Sequence, residues 1–119
     1  MPDPRLFVRL DLANGSQIGP GKIALLEAIR DAGSISAAAR ALGMSYRRAW
    51  MLVSDVNLTL REPAVRAAHG GKSGGGASVT PVGDQIIRLY RAIEARAKTS
   101  AGRECRAIGK LARARKARA

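Results

Sequence analysis

Aromatic side chains are almost absent: one Trp, one Phe and two Tyr make up 3% of 119 residues. A core cannot rest on large rings here, so Ala, Leu, Ile and Val must fill it. At 46% hydrophobic the chain is too apolar to stay unfolded, and small aliphatic cores favour closely packed helices. Cys105 is the single cysteine, which excludes an intramolecular disulfide and points to a reducing compartment, the cytoplasm. His69 is the single histidine. No second ligand completes a metal site around it, and no Ser/Asp pattern makes it a catalyst. Paired catalytic carboxylates are missing as well, so neither an enzyme nor a cofactor is expected. No apolar run approaches the ~18 residues of a membrane span, and residues 1–9 have no signal-peptide core. No membrane partner is expected.

Acid is scarce too. Nine Asp and Glu face 21 Lys and Arg, a formal net charge of +12. Such an excess attracts polyanions, nucleic acid first. Half of it, +6, lies in residues 99–119, and the other +6 in residues 1–98. The chain therefore reads as one domain, residues 1–98, followed by a basic Ala/Arg/Lys-rich tail, residues 99–119. The tail has the composition of a helix but little to bury, and it is expected to add phosphate contacts without sequence information.

What is present is helical punctuation. Leu6–Leu12 alternates apolar and polar toward its end, a strand signal, and Asn14-Gly15 is a turn dipeptide. Pro20 opens a helix and Gly33 stops it, with Ile23, Leu26, Ile29 and Ala32 as its inward stripe. Ser34 or Ser36 caps a short second helix that reaches Leu42 and breaks at Gly43. Ser45 caps a third, running to about Leu60 and ending before Pro63. Residues 65–69 and 77–79 read as strands around a glycine loop, a mobile hairpin. Thr80-Pro81 starts a last helix, with Asp84 in its first turn. The fold class predicted is mainly α with a small β hairpin and a long C-terminal dimerisation helix.

Residues 35–54 have the pattern of a helix-turn-helix. Close approach of two helices needs a small residue, here Ala39, and the turn needs one tolerant of positive φ, here Gly43. Ala38, Leu42, Met44, Ala49 and Leu52 fall where the arrangement requires inward residues. At ~100° per residue, Tyr46, Ala49, Trp50, Leu52, Val53, Val56 and Leu60 fill one arc of the third helix, which places Trp50 in the core. Arg47, Arg48, Met51, Ser54 and Asp55 fill the other. Two arginines in the first turn of an outward face suit base edges and phosphates of a major groove, and a capped helix start favours phosphate.

The glycine loop 70–76 contains Gly71-Lys72-Ser73 but is not a nucleotide-binding loop. A Walker motif needs glycine where Arg66 stands, and a helix straight afterwards, where a strand is expected. A wing fits better: glycines leave backbone N–H groups bare for phosphate, and Lys72 adds a charge. The stripe Val82, Ile86, Leu89, Ile93, widened by Ile87 and Tyr90, is broader than one helix of a small domain needs. Val82, Ile86, Leu89, Tyr90 and Ile93 are therefore the predicted dimerisation residues.

Taken together, these motifs carry a family resemblance. Gly33-Ser34-Ile35-Ser36, Ala38-Ala39 and Gly43-Met44-Ser45-Tyr46-Arg47-Arg48-Ala49-Trp50, together with Gly70–Ala77, Val79-Thr80 and Gly83, resemble the DNA-binding domain of ModE, the molybdate-responsive regulators. The resemblance covers residues 6–98. It implies a LysR-type winged helix-turn-helix, dimeric through terminal helices, binding double-stranded DNA at a palindromic operator. By position it makes Ser36, Ser45, Tyr46, Arg47 and Arg48 helix contacts and Gly71, Lys72 and Ser73 wing contacts, beside Met51 and Ser54 from the outward arc. Molybdate-sensing members carry oxyanion-binding domains after this one. A basic tail stands there instead, so the expectation is a regulator linked to molybdenum that lacks the sensor, with its effector open. Two rivals use the same charge: a nonspecific architectural nucleic-acid protein, and a module whose hairpin or last helix grips another protein.

Overall fold

A computed structural model describes residues 3–68 and 75–114. The order is β1 (Leu10–Asp11), β2 (Gln17–Ile18), α1 (Pro20–Ala32), α2 (Ile35–Leu42), α3 (Tyr46–Thr59), β3 (Val65–Ala68), β4 (Gly76–Val79) and α4 (Pro81–Leu111). The expected mainly helical winged helix-turn-helix with a long last helix is what forms. The strand expected over Leu6–Leu12 shrinks to two residues, paired antiparallel with β2 across a turn at Gly15, φ +90°. Most of that segment is extended chain rather than ladder, because no other strand among the described residues lies beside it.

Local chemistry sets each helix end. Pro20 opens α1, and Gly33 closes it at φ +79°. Ser34 caps α2, its Oγ accepting from the Ala37 amide at 3.0 Å. Gly43, φ +68°, turns the chain into α3 while the Met44 amide donates to Ala39 at 3.0 Å. A left-handed backbone there costs a residue with a Cβ ~1 kcal/mol or more, which is why the tight turn holds glycine. Thr80 caps α4 by accepting from the Gly83 amide at 3.1 Å, and its own hydroxyl donates to the Pro63 carbonyl at 2.7 Å.

The core is built of small aliphatics, as the composition requires: Ile23, Leu25, Leu26 and Ile29 of α1, Ala38 and Ala39 of α2, Ala49, Val53 and Val56 of α3, with Ile87 and Tyr90 of α4. Ala39 and Ala49 are both fully buried, so α2 and α3 meet through methyl groups. Leu25 joins the α1 stripe, while Ala32, expected inward, is exposed. Leu42, also expected inward, is 39% exposed. Gly83 is where α4 crosses the loop after α3. A Cβ there would meet the Ala64 carbonyl and come within 2.6 Å of Val79 Cγ1.

The helix α4 continues without a break past Lys98 to Leu111, so the change of composition at residue 99 is not a change of structure. Its 31 residues span ~46 Å, and they account for most of the 54 Å length of the molecule. No helix among the described residues is long and apolar enough to cross a membrane.

Candidate nucleic-acid interface

The third helix begins at the surface. Ser45 caps it through Oγ, which accepts from the Arg48 amide at 3.1 Å. Tyr46, Arg47 and Arg48 follow, all exposed. The first amides of a helix have no partner within it and carry the positive end of its dipole, so a phosphate is favoured there. Met51 is exposed on the same side and Ser54 half-buried. Ser36 lies one element away on α2, half-buried, its hydroxyl accepting from Arg40 Nη1 at 3.1 Å. Ser45, Arg47, Arg48, Met51 and Ser54 thus share one open helix, and Asp55 turns aside to pair with Lys22 of α1.

One side chain is corrected. Trp50 is not core: it is 52% exposed, with Tyr46 exposed one turn before it. The buried arc of α3 is narrower than expected, centred on Ala49, Val53 and Val56 and extended by Thr59. Trp50 lies about 100° round from Ala49, on the flank facing the hairpin. There the space between α3 and the hairpin stays open, so nothing among the described residues covers the indole.

The hairpin is held to this helix by groups that sequence patterns did not reveal. Asn57 reaches from α3 to the segment entering β3. Its Oδ1 accepts from the amides of Ala64 at 2.8 Å and Val65 at 3.1 Å, and its Nδ2 donates to the Val65 carbonyl at 3.1 Å. On the other strand, the Ala77 amide donates to the Gly33 carbonyl at 2.8 Å. Side-chain amide bonds to a loop leave no periodic signature. The predicted wing contacts Gly71, Lys72 and Ser73, and His69 with them, lie outside the described residues.

The predicted dimerisation stripe divides in two. Tyr90 is corrected: it is 1% exposed and its hydroxyl donates to the Val8 carbonyl at 2.6 Å, docking the N-terminal segment on α4. Burial raises its pKa above the usual phenol range. Ile87 is buried beside it. Below them Arg91 makes a two-pronged ion pair with Glu27 of α1, at 2.5 and 3.1 Å, and a third bond to Glu94 at 2.8 Å. Hydrogen bonding from Arg91 holds the Glu27 carboxyl below its ordinary value, against the opposing effect of burial. Leu89, 57% exposed, and Ile93, 39% exposed, point away from this face. Val82 and Ile86 are half-buried, Ile86 against the core.

This geometry is that of a winged helix-turn-helix whose third helix starts at the open surface. No protein-family model matches the chain. It is 53% identical over 81 residues to the molybdenum-pterin-binding protein MopB of Rhodobacter capsulatus, covering 68% of this chain and 30% of that protein. It is 46% identical over 71 residues to the transcriptional regulator ModE of Yersinia pestis, covering 60% and 27%. The matched segment is ModE-like. Against the DNA-binding transcriptional dual regulator ModE of Escherichia coli the identity is 42% over 71 residues, 60% of this chain and 27% of that one. The chain thus spans less than a third of the length of these relatives. Among solved structures, its backbone is similar to that of the CbnR DNA-binding domain in complex with DNA. The TM-score is 0.56 at 21% identity, over 71% of this chain and 91% of that one. That likeness carries the fold alone.

Proposed function

We propose that this chain is a sequence-specific DNA-binding regulator linked to molybdenum homeostasis, working as a homodimer in the cytoplasm. The observation that carries the reading is the free start of α3, where Arg47 and Arg48 stand exposed beyond the Ser45 cap in a ModE-like segment. In this reading α3 enters the major groove, with Arg47 and Arg48 on base edges or phosphates and Ser45, Tyr46, Met51 and Ser54 beside them. Ser36 reaches the backbone from α2, and Gly71, Lys72 and Ser73 contact it from the wing. Two copies pair through Val82, Ile86, Leu89 and Ile93, holding two α3 helices about one DNA turn, ~34–36 Å, apart. The work is binding rather than catalysis, in keeping with relatives named as regulators. Neither a purely architectural role nor a protein-only module has a specific observation in its favour.

Selection of tight-binding duplexes from a random pool tests this reading directly. One enriched sequence is expected, with random DNA competing weakly. In the double variant Arg47→Glu, Arg48→Glu, affinity for the selected duplex should fall at least tenfold. Its salt dependence should flatten by ~0.9 in log–log slope for each phosphate no longer neutralised. Retained affinity in that variant would refute the assignment of α3.

A further inference from the structure

Between α3 and the hairpin runs an open trough of about 360 Å3. Tyr46 and Trp50 line its helix side, Arg66 and Ala77 its hairpin side, and Val53 and Asn57 its floor. Its composition is unusual for this protein. Two of only four aromatic residues stand here, both more than half exposed. Exposing an indole to water forfeits the apolar stabilisation that its burial would give, and nothing among the described residues covers it. The Arg66 guanidinium makes no ion pair or hydrogen bond among the described residues.

We infer that this trough is the seat of one sugar–phosphate strand of the bound duplex, with Trp50 and Tyr46 packed on deoxyribose and Arg66 neutralising a phosphate. The inference rests on the DNA-binding reading and deepens it. A helix is ~10–12 Å across and the major groove ~12 Å wide, so a helix that enters the groove fills it. Its flanks then lie against the two strands that border the groove, not against bases. Tyr46 and Trp50 occupy the flank of α3 toward the hairpin, and Arg47 the face between the flanks. The strand on that side must pass between helix and hairpin, which is where the trough opens. A deoxyribose offers an apolar face for the rings, and phosphate oxygens offer acceptors for the Trp50 Nε1–H, the Tyr46 hydroxyl and Arg66. The site is cationic at its rim and the chain carries +12, which selects a polyanion over an apolar peptide. None of these contacts reads sequence, so their role is to fix the register of α3 in the groove.

Trp50 is the single tryptophan, so its emission reports this trough alone. In the full chain, acrylamide should quench Trp50 readily. On titration with the selected duplex the quenching constant should fall severalfold, in step with the anisotropy rise of the labelled DNA. The Arg66→Gln variant should bind about tenfold more weakly with a salt slope shallower by ~0.9, and with the same preferred sequence. Trp50 equally quenchable in the DNA-saturated protein overturns the inference while the DNA-binding reading stands. An unchanged slope in Arg66→Gln removes Arg66 from the site. Absence of any anisotropy change defeats the DNA-binding reading itself.

Discussion

Asn57 shows how much one side chain can decide. Its amide satisfies two backbone donors and one acceptor at buried Ala64 and Val65. Replacing it with Ala strands these groups away from water. Asn57→Ala should lower unfolding free energy by about 2–3 kcal/mol, read from the midpoint of a urea titration at constant slope. A loss below ~0.5 kcal/mol, the range of an ordinary surface change, would mean water replaces the amide freely. The role of Asn57 is illegible in the sequence because its partners are main-chain atoms of a loop, which no residue pattern encodes. Trp50 departs from its expected place for a related reason. An angular projection assigns side chains to arcs but does not say whether anything lies opposite, and opposite Trp50 the space toward the hairpin stays open. The caps at Ser34 and Ser45 and the glycines at 33 and 43 are legible because each fulfils a local requirement that few residues meet.

Among elements, α1 and α4 are joined by the Glu27–Arg91–Glu94 cluster. Because the folded carboxyl of Glu27 titrates below its unfolded value of 4.5, its contribution is complete above that value and disappears as pH falls through the lower, folded one. Glu27→Gln should therefore cost about 1 kcal/mol near neutrality, a modest figure because Arg91 is partly solvated and screened. The gap to the unmodified protein should close in acid. Paired thermal melts between neutral pH and pH 3 measure it, and a gap independent of pH would assign the cost to packing instead. The helices themselves are legible from punctuation and period. The pairing of their charges is not, since Glu27 and Arg91 are 64 positions apart and meet only once α4 has crossed α1.

At the scale of the molecule, α4 presents Leu89 and Ile93 to solvent on the side away from the core. A stripe of this kind on a 31-residue helix is the proposed seam between two copies. Leu89→Glu with Ile93→Glu should give a folded monomer by sedimentation where the unmodified chain sediments as a dimer. Binding to a two-half-site duplex should weaken far more than binding to a single half-site. Equal sedimentation of both proteins would place the seam elsewhere. Sequence period finds this stripe but overestimates its width: Tyr90 and Ile87 satisfy the same spacing while facing inward. Packing of Ile87 in the core and docking of the N-terminal segment on Tyr90, through a hydrogen bond between residues 82 positions apart, separate the two sides.

The hydrogen bond from the Ala77 amide to the carbonyl of left-handed Gly33 has a consequence for how such a protein can diverge. The hairpin hangs from main-chain atoms at the corner where two helices meet and from the half-buried Asn57, so its station does not depend on any exposed side chain. In the proposed reading, descendants can exchange every outward residue of α3, and with them the operator they prefer, while the spacing between helix and hairpin stays the same. The alphabet is replaceable; the frame on which it is mounted is inherited.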